Sequence, residues 1–253
     1  MEFSFSVFGI FSMSGTEVFS TGENLGRVRQ RMALAARRAG RDPDEIRLVA
    51  VTKGQPLEVV RAAFEQGLRD FGENRVEEAL PKMQAAALGP ACSWHMIGHV
   101  QSRKAGDVAP NFALVHSVDS LKLARRLDRF AGEGGRRLPV LIECNVSGEA
   151  SKSGYPAQNA SDCERLLPEL EELVSLASLE VRGLMTMAPY TAAPEESREV
   201  FRRLRRLREY LAARIPSSDW GALSMGMTDD FEVAIEEGAT IIRVGRALFG
   251  ERG

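Results

Sequence analysis

The stretch Ile46-Arg47-Leu48-Val49-Ala50-Val51-Thr52-Lys53-Gly54 decides the fold. It is a short apolar, β-branched run that stops at a lysine, a glycine and then Pro56. A run of this length bounded by turn residues reads as a strand buried on both faces, as a parallel sheet demands. Alternation places Val49, Val51 and Lys53 on one face and Leu48, Ala50 and Thr52 on the other. An ammonium at the end of such a strand is costly unless it is paired, lowered in pKa or used covalently. The plain alternative is a lysine that emerges into solvent where the strand finishes.

Outward from this stretch the pattern repeats. Residues 22–40 predict a helix with Leu25, Val28, Met32, Ala35 and Ala36 at helical spacing and Gly40 as its stop. After the first strand, 56–67 reads as a helix opened by proline. Strands follow at 70–74, 94–98, 114–119, 139–146, 181–188, 222–227 and 240–244, separated by helical patterns at 75–87, 103–109, 121–131, 157–177 and 194–214. Ser120 is an expected N-cap, and Asp229 with Glu232 an expected capping box opening a helix after the seventh strand. Eight strands alternating with helices predict an α/β fold, a single (β/α)8 TIM barrel. An open doubly wound sheet would more naturally carry a glycine fingerprint after its first strand, and no GxGxxG occurs.

The 253 residues suit one such domain, and 44% hydrophobic content is ordinary for a chain with a substantial core. A net charge of −2 gives no reason to expect nucleic acid. No apolar segment reaches the ~18 residues of a membrane helix. Cys92, Cys144 and Cys163 form no CxxC pair, which suits a reducing, cytoplasmic compartment. Residues 1–21 carry phenylalanines among serines with no basic residue before them, and are expected to be a poorly ordered tail and not a signal peptide.

In a barrel of this kind chemistry lies at the C-terminal strand ends. Those ends supply Lys53, Asn74, His99, Asp119, Asn145, Met187, Ser224 and Arg243. Ile241, Arg243 and Gly245 share a face, so a lysine and an arginine look into one mouth from the first and last strands. Ser224, Thr228 and the backbone at Gly245–Arg246–Ala247 form the loops where barrels hold phosphate. Phosphate cradle, lysine and arginine together suggest pyridoxal 5′-phosphate (PLP), with Lys53 forming the Schiff base to the cofactor aldehyde. A guanidinium only donates, so a pyridine nitrogen facing Arg243 would stay unprotonated.

Competing motifs are weaker. His95 and His99 stand four apart, but Met96 occupies the glutamate position of a zinc-protease helix and no third ligand is evident, so no metal is expected. His116 reads as a satisfied core histidine. The arginines at 202, 203, 205, 206 and 208 are threaded by Val200, Leu204, Leu207 and Leu211, the pattern of an amphipathic helix with a solvated outer face.

The segments AVTKGQP, DFGENRVEEA, WHMIGHVQSRK, VHSVDSLKLA, NVSGEASKSG, GLMTMAPY, LSMGMTDDFEVAI and RVGRALFG closely resemble the pyridoxal phosphate homeostasis protein family, also called proline synthase co-transcribed proteins. The resemblance covers roughly residues 25–250. It implies a fold-type-III barrel like the alanine racemase N-terminal domain. It further implies PLP on Lys53, Ser224 and the Gly245–Arg246 backbone at the phosphate, Arg243 at the pyridine nitrogen and Asn74 near the ring. Arg246 stands where relatives often carry a small hydroxyl residue, so the backbone contact is the one implied. The expected function is carriage and buffering of PLP in vitamin B6 homeostasis by a monomer that serves PLP-dependent apoenzymes. The rival is a racemase-like enzyme. Such racemases add a C-terminal β domain, whereas little follows Gly250 here, and no acid opposite the lysine stands out.

Overall fold

The computed structural model describes residues 15–149, 151–190 and 193–251. Each apolar run becomes a strand: β1 Arg47–Val51, β2 Asp70–Glu73, β3 Ser93–Met96, β4 Leu114–Val118, β5 Leu138–Asn145, β6 Tyr155–Pro156, β7 Leu179–Met185, β8 Ala222–Ser224 and β9 Ile241–Val244. The helices are α1 Gly15–Arg38, α2 Leu57–Glu65, α3 Val76–Ala86, α4 Ala105–Val108, α5 Leu121–Glu133, α6 Ala160–Val174, α7 Arg198–Arg214, α8 Phe231–Glu236 and α9 Arg246–Phe249. All pairings are parallel, in the order β4-β3-β2-β1-β9-β8-β7-β5, and the β4–β5 pair closes the ring. This is the eight-stranded parallel barrel that the sequence predicts, with β6 a two-residue addition paired to β5 at Cys144↔Tyr155.

The alternation in the opening stretch is kept. Val49 belongs to an inner apolar plug with Leu114, Leu141, Met185 and Ile241. Ala50 joins the outer layer between barrel and helices, with Leu48 packed against it. Helices bury one stripe against that layer. On α5 the stripe is Leu123, Ala124, Leu127 and Ala131, and Ser120 Oγ accepts from the Leu123 N–H at 3.4 Å, the expected cap. Burial of such a leucine contributes about 1.5–3 kcal/mol. On α7, Val200, Leu204, Leu207 and Leu211 are buried as expected. Outside them Arg198, Arg202 and Arg205 converge on the buried Glu237 at 3.1–3.2 Å.

Local boundaries differ where side-chain chemistry overrides pattern. Residues 1–14 of the expected tail lie outside the described residues, but helix already starts at Gly15. A lone glycine at 22 costs a helix only about 1 kcal/mol and does not stop it. The expected Asp229–Glu232 capping box does not form. Glu232 pairs with Arg31 at 2.6 Å, Asp229 pairs with Arg246, and α8 starts two residues later. Asp230 takes over the turn, its Oδ1 accepting from the Met227 N–H at 2.7 Å. Helix α9 was not expected, because four residues are too few to show a period.

Candidate functional site

Strand β1 ends at Val51, and Lys53 follows in a turn where Gly54 has φ +69°, a conformation that favours glycine. Lys53 is half-buried at the C-terminal end of β1, and Thr52 beside it is buried. Thr52 Oγ1 donates to Glu73 at 2.7 Å, and Lys82 reaches both Glu73 and the Thr52 carbonyl at 2.7 Å. The turn that presents Lys53 is therefore fixed from behind by a buried ion pair. On the next strand Arg243 sits in register with Val49. The Gly245 loop lies against the end of β1, where a Cβ on Gly245 would meet the Val51 Cβ and carbonyl at 3.5 Å.

Arg243 is 4% exposed and keeps its charge, although burial pulls its pKa down to about 10 against the support of Asp230 and Glu143. One Nη donates to Ser224 Oγ at 2.5 Å and the other to the Thr186 carbonyl at 3.0 Å. Ser224 is fully buried and touches His116 Nδ1 at 2.8 Å. His116 Nε2 meets His95 Nδ1 at 2.9 Å, and His95 Nε2 meets Asp70 Oδ1 at 2.9 Å. Because the Asp70 carboxylate only accepts and a neutral histidine carries one N–H, the proton pattern runs one way from that end. Ser224 accepts from Arg243 and donates to His116, His116 donates through Nε2 to His95, and His95 donates to Asp70. Burial, then His95 and Arg243, hold the His116 pKa well below the usual histidine range, so it stays neutral as this pattern requires. The satisfied core histidine expected at 116 is thus one link of a relay through the barrel.

The other expected residues fall as follows. Asn74 stands just past β2, partly buried, and its backbone packs so closely on Gly98 that a Cβ there would lie 2.3 Å from the Asn74 carbonyl oxygen. Asn74, His99 and Lys104 line a cavity of about 240 Å³ beside the mouth. Met187 lies past β7 and is 36% exposed. Ser224 is committed to Arg243 and His116. The hydroxyl lying on the Gly245–Ala247 loop is that of Thr228, whose Oγ1 accepts from the Ala247 N–H at 3.3 Å. The Arg246 side chain turns to Asp229 and to Glu251 at 3.3 Å, leaving its backbone in the loop. His99 pairs with Asp119 at 2.8 Å. No group of three or more His, Cys, Asp or Glu among the described residues could hold a metal ion.

Sequence reasoning missed two features. One is the relay, whose members come together only when the barrel closes. The other is Glu143, which alternation from Leu141 turns into the mouth and which is 3% exposed. A larger cavity, about 460 Å³, lies at the opposite floor of the barrel and is lined by Arg47, Ser93, His95, Arg182 and Thr240. Volume alone would select that end. The amine, the buried cation and the glycine loop select the mouth.

Comparison with known proteins agrees with the barrel fold. Residues 24–253 match the family described as alanine racemase, N-terminal domain. The pyridoxal phosphate homeostasis protein of Pseudomonas aeruginosa is 46% identical over 231 residues, covering 91% of this chain and 95% of that protein. That of Escherichia coli K12 is 39% identical over 235 residues, covering 90% and 95%. Among solved structures, PipY of Synechococcus elongatus PCC7942 with PLP bound superposes with a TM-score of 0.78 at 35% identity, covering 91% of this chain and all of PipY (100%). Alanine racemase of Clostridium difficile 630 superposes with a TM-score of 0.67 at 17% identity over 92% of this chain and 57% of the racemase, a likeness of fold alone.

Proposed function

Because the chain belongs to the pyridoxal phosphate homeostasis protein family, we propose that it binds PLP in the barrel mouth, with Lys53 as the attachment point, and carries and buffers it in vitamin B6 homeostasis. One observation carries the reading. The half-buried lysine just after β1 follows a strand paired with the one that bears a buried arginine, with the Gly245 loop packed on the same strand end. The donor set fits the group. PLP brings an aldehyde, a pyridine nitrogen and a phosphate, and the mouth offers an amine, a charged donor and a glycine loop closed by Thr228. Lys53 Nζ would be the amine that takes the aldehyde as a Schiff base, with release of one water. Arg243, held by Ser224 and Thr186, would offer its remaining N–H groups to the ring nitrogen and leave it unprotonated, which would make the ring a weak electron sink. The Gly245–Arg246 backbone and Thr228 would hold the phosphate, and Asn74 and Met187 would lie beside the ring.

The protein is proposed to act in the cytoplasm as a monomer and to pass PLP to PLP-dependent apoenzymes. In support, no helix among the described residues is long and apolar enough to cross a membrane, and the three cysteines are free thiols. The test is reduction of the PLP-loaded protein with borohydride and peptide mapping. The label is expected on Lys53 and lost in Lys53→Ala, and a label on Lys104 or Lys152 would overturn the assignment. The racemase-like alternative gains one observation, the Glu143 carboxyl in the mouth. Deuterium uptake at Cα from a panel of L-amino acids decides. The carrier reading expects none near the ~10 s⁻¹ typical of enzymes, and exchange at that rate would restore the racemase.

A further inference from the structure

Glu143 is the buried titratable group that this reading leaves unused. Its neighbours Ile142 and Cys144 pack into the outer layer, so Glu143 points to the barrel axis one step above Leu141 of the plug. Its Oε2 is buried with no hydrogen-bond partner among the described residues. A buried carboxylate oxygen left in that state is expensive, and such orphans concentrate where a ligand or a proton completes them. Among the described residues, three charged or titratable groups act on it. Arg243 comes from β9, Asp119 from the end of β4, and His99 from the loop after β3, already hydrogen-bonded to Asp119. Strand β7, in register at Met185, adds Met185 and Thr186 and no charge. Burial first, then Asp119, push the Glu143 pKa up to about 7, against the pull of Arg243 and His99.

We infer that Glu143 contacts the ligand in the mouth and that its neutral carboxyl donates a hydrogen bond to an anionic oxygen of PLP, so that PLP is taken up together with one proton. The inference rests on the PLP reading of the mouth. The phenolate and phosphate oxygens of PLP are acceptors, so an ionised carboxylate facing them repels while a carboxylic acid satisfies them. Arg243 already supplies the donor for the ring nitrogen, which leaves Glu143 the oxygens. Asp119 assists, since its charge, paired to His99, keeps the proton on Glu143. Above pH 7 that proton has to come from solvent, and retention falls.

The experiment measures PLP affinity of the wild type and of Glu143→Gln between pH 6 and 9, with the protons taken up per PLP read by calorimetry in buffers of different ionisation heat. Titration of PLP itself is common to both proteins and cancels in their ratio. The amide keeps a donor at every pH, so the wild type is expected to lose affinity relative to Glu143→Gln by up to about tenfold per pH unit above 7. At pH 8.5 the wild type should take up about one proton more than the variant. Glu143→Leu serves as a second variant if the amide fails to fold, and should bind more weakly with the same flat profile. Parallel profiles in wild type and variants overturn the inference. So does a wild type that gains on the variants as pH rises, which would mean an ionised contact. If borohydride labels neither protein, it is the reading of the mouth that fails.

Discussion

Removing the Ser224 hydroxyl separates a structural role from a ligand-binding one. In the folded chain that oxygen accepts from Arg243 Nη1 at 2.5 Å and donates to His116 Nδ1 at 2.8 Å, with all three side chains at most 4% exposed. Ser224→Ala therefore deletes one hydrogen bond to a charge and one neutral one, and leaves His116 Nδ1 with no donor to face. A charged bond is worth about 1.5–3 kcal/mol and an orphaned buried acceptor about 1–3 kcal/mol. Partial relaxation and water entry offset some of this, which puts the loss at about 2–4 kcal/mol. In a domain of this size each kcal/mol moves Tm by about 2–4 °C, so the melting point should fall by about 4–16 °C. The assay is thermal unfolding of PLP-free protein, because bound ligand would add its own stabilisation. Thr228→Ala is the contrast, a partly exposed hydroxyl on the Gly245 loop. It should barely move Tm and should weaken PLP retention by about 1 kcal/mol, roughly fivefold. If Ser224→Ala melts with the wild type and instead loses PLP, the hydroxyl belongs to the ligand and the relay reasoning is wrong.

Three further outcomes are expected. Glu143, raised to about 7 in the fold, stabilises below about pH 4.5 and loses that contribution as pH rises to 7, so Glu143→Gln should raise Tm at pH 8 and leave it unchanged near pH 4. His116, depressed in the fold, acts in the opposite direction. Its contribution is present above pH 6.5 and lost below it at about 1.4 kcal/mol per pH unit, so a plot of Tm against pH that is flat from 6.5 down to 4 in Glu143→Gln would contradict the relay. Gly183 has φ +146° at the β5–β7 register shift, where a Cβ would sit 1.9 Å from the Ala222 carbonyl oxygen. Gly183→Ala should cost about 3 kcal/mol or more in chemical denaturation, and a loss under 1 kcal/mol would refute the strand geometry.

The barrel was legible because strands such as β1, β5, β7 and β9 are largely apolar runs that recur between helical patterns, a rhythm that needs no knowledge of partners. Boundaries were less so. Strand β1 ends two residues before Lys53 because Gly54 takes the left-handed conformation, which spacing does not reveal. The Asp229–Glu232 box failed to form because Arg246 and Arg31, 17 and 201 residues away, hold those carboxylates. In the site, the inner-face position of Arg243 could be found by alternation within its own strand. The role of Ser224 could not, since its second partner is 108 residues away and meets it only across the closed interior. Glu143 left a signal that was open to reading. In an apolar run whose inner face is set by Leu141, a carboxylate two residues on must face the axis.

The enclosed charges also explain why one proton matters. Arg243 feels two carboxylates, Asp230 at the start of α8 and Glu143 on β5. Asp230 is itself pushed up by burial, with the Met227 amide, Ser197 and Arg243 acting to keep it ionised. With Asp230 ionised and Glu143 neutral, the Arg243 charge is balanced once. Ionising Glu143 adds a second carboxylate beside Arg243, next to Asp119, inside a poorly screened cavity where charges count for several times their value in water. A ligand bearing a phosphate dianion meets less repulsion in the first state than in the second. The proton on Glu143 therefore tunes the charge of the mouth, and it does so near neutral pH, where a carrier has to hold its cargo and also release it.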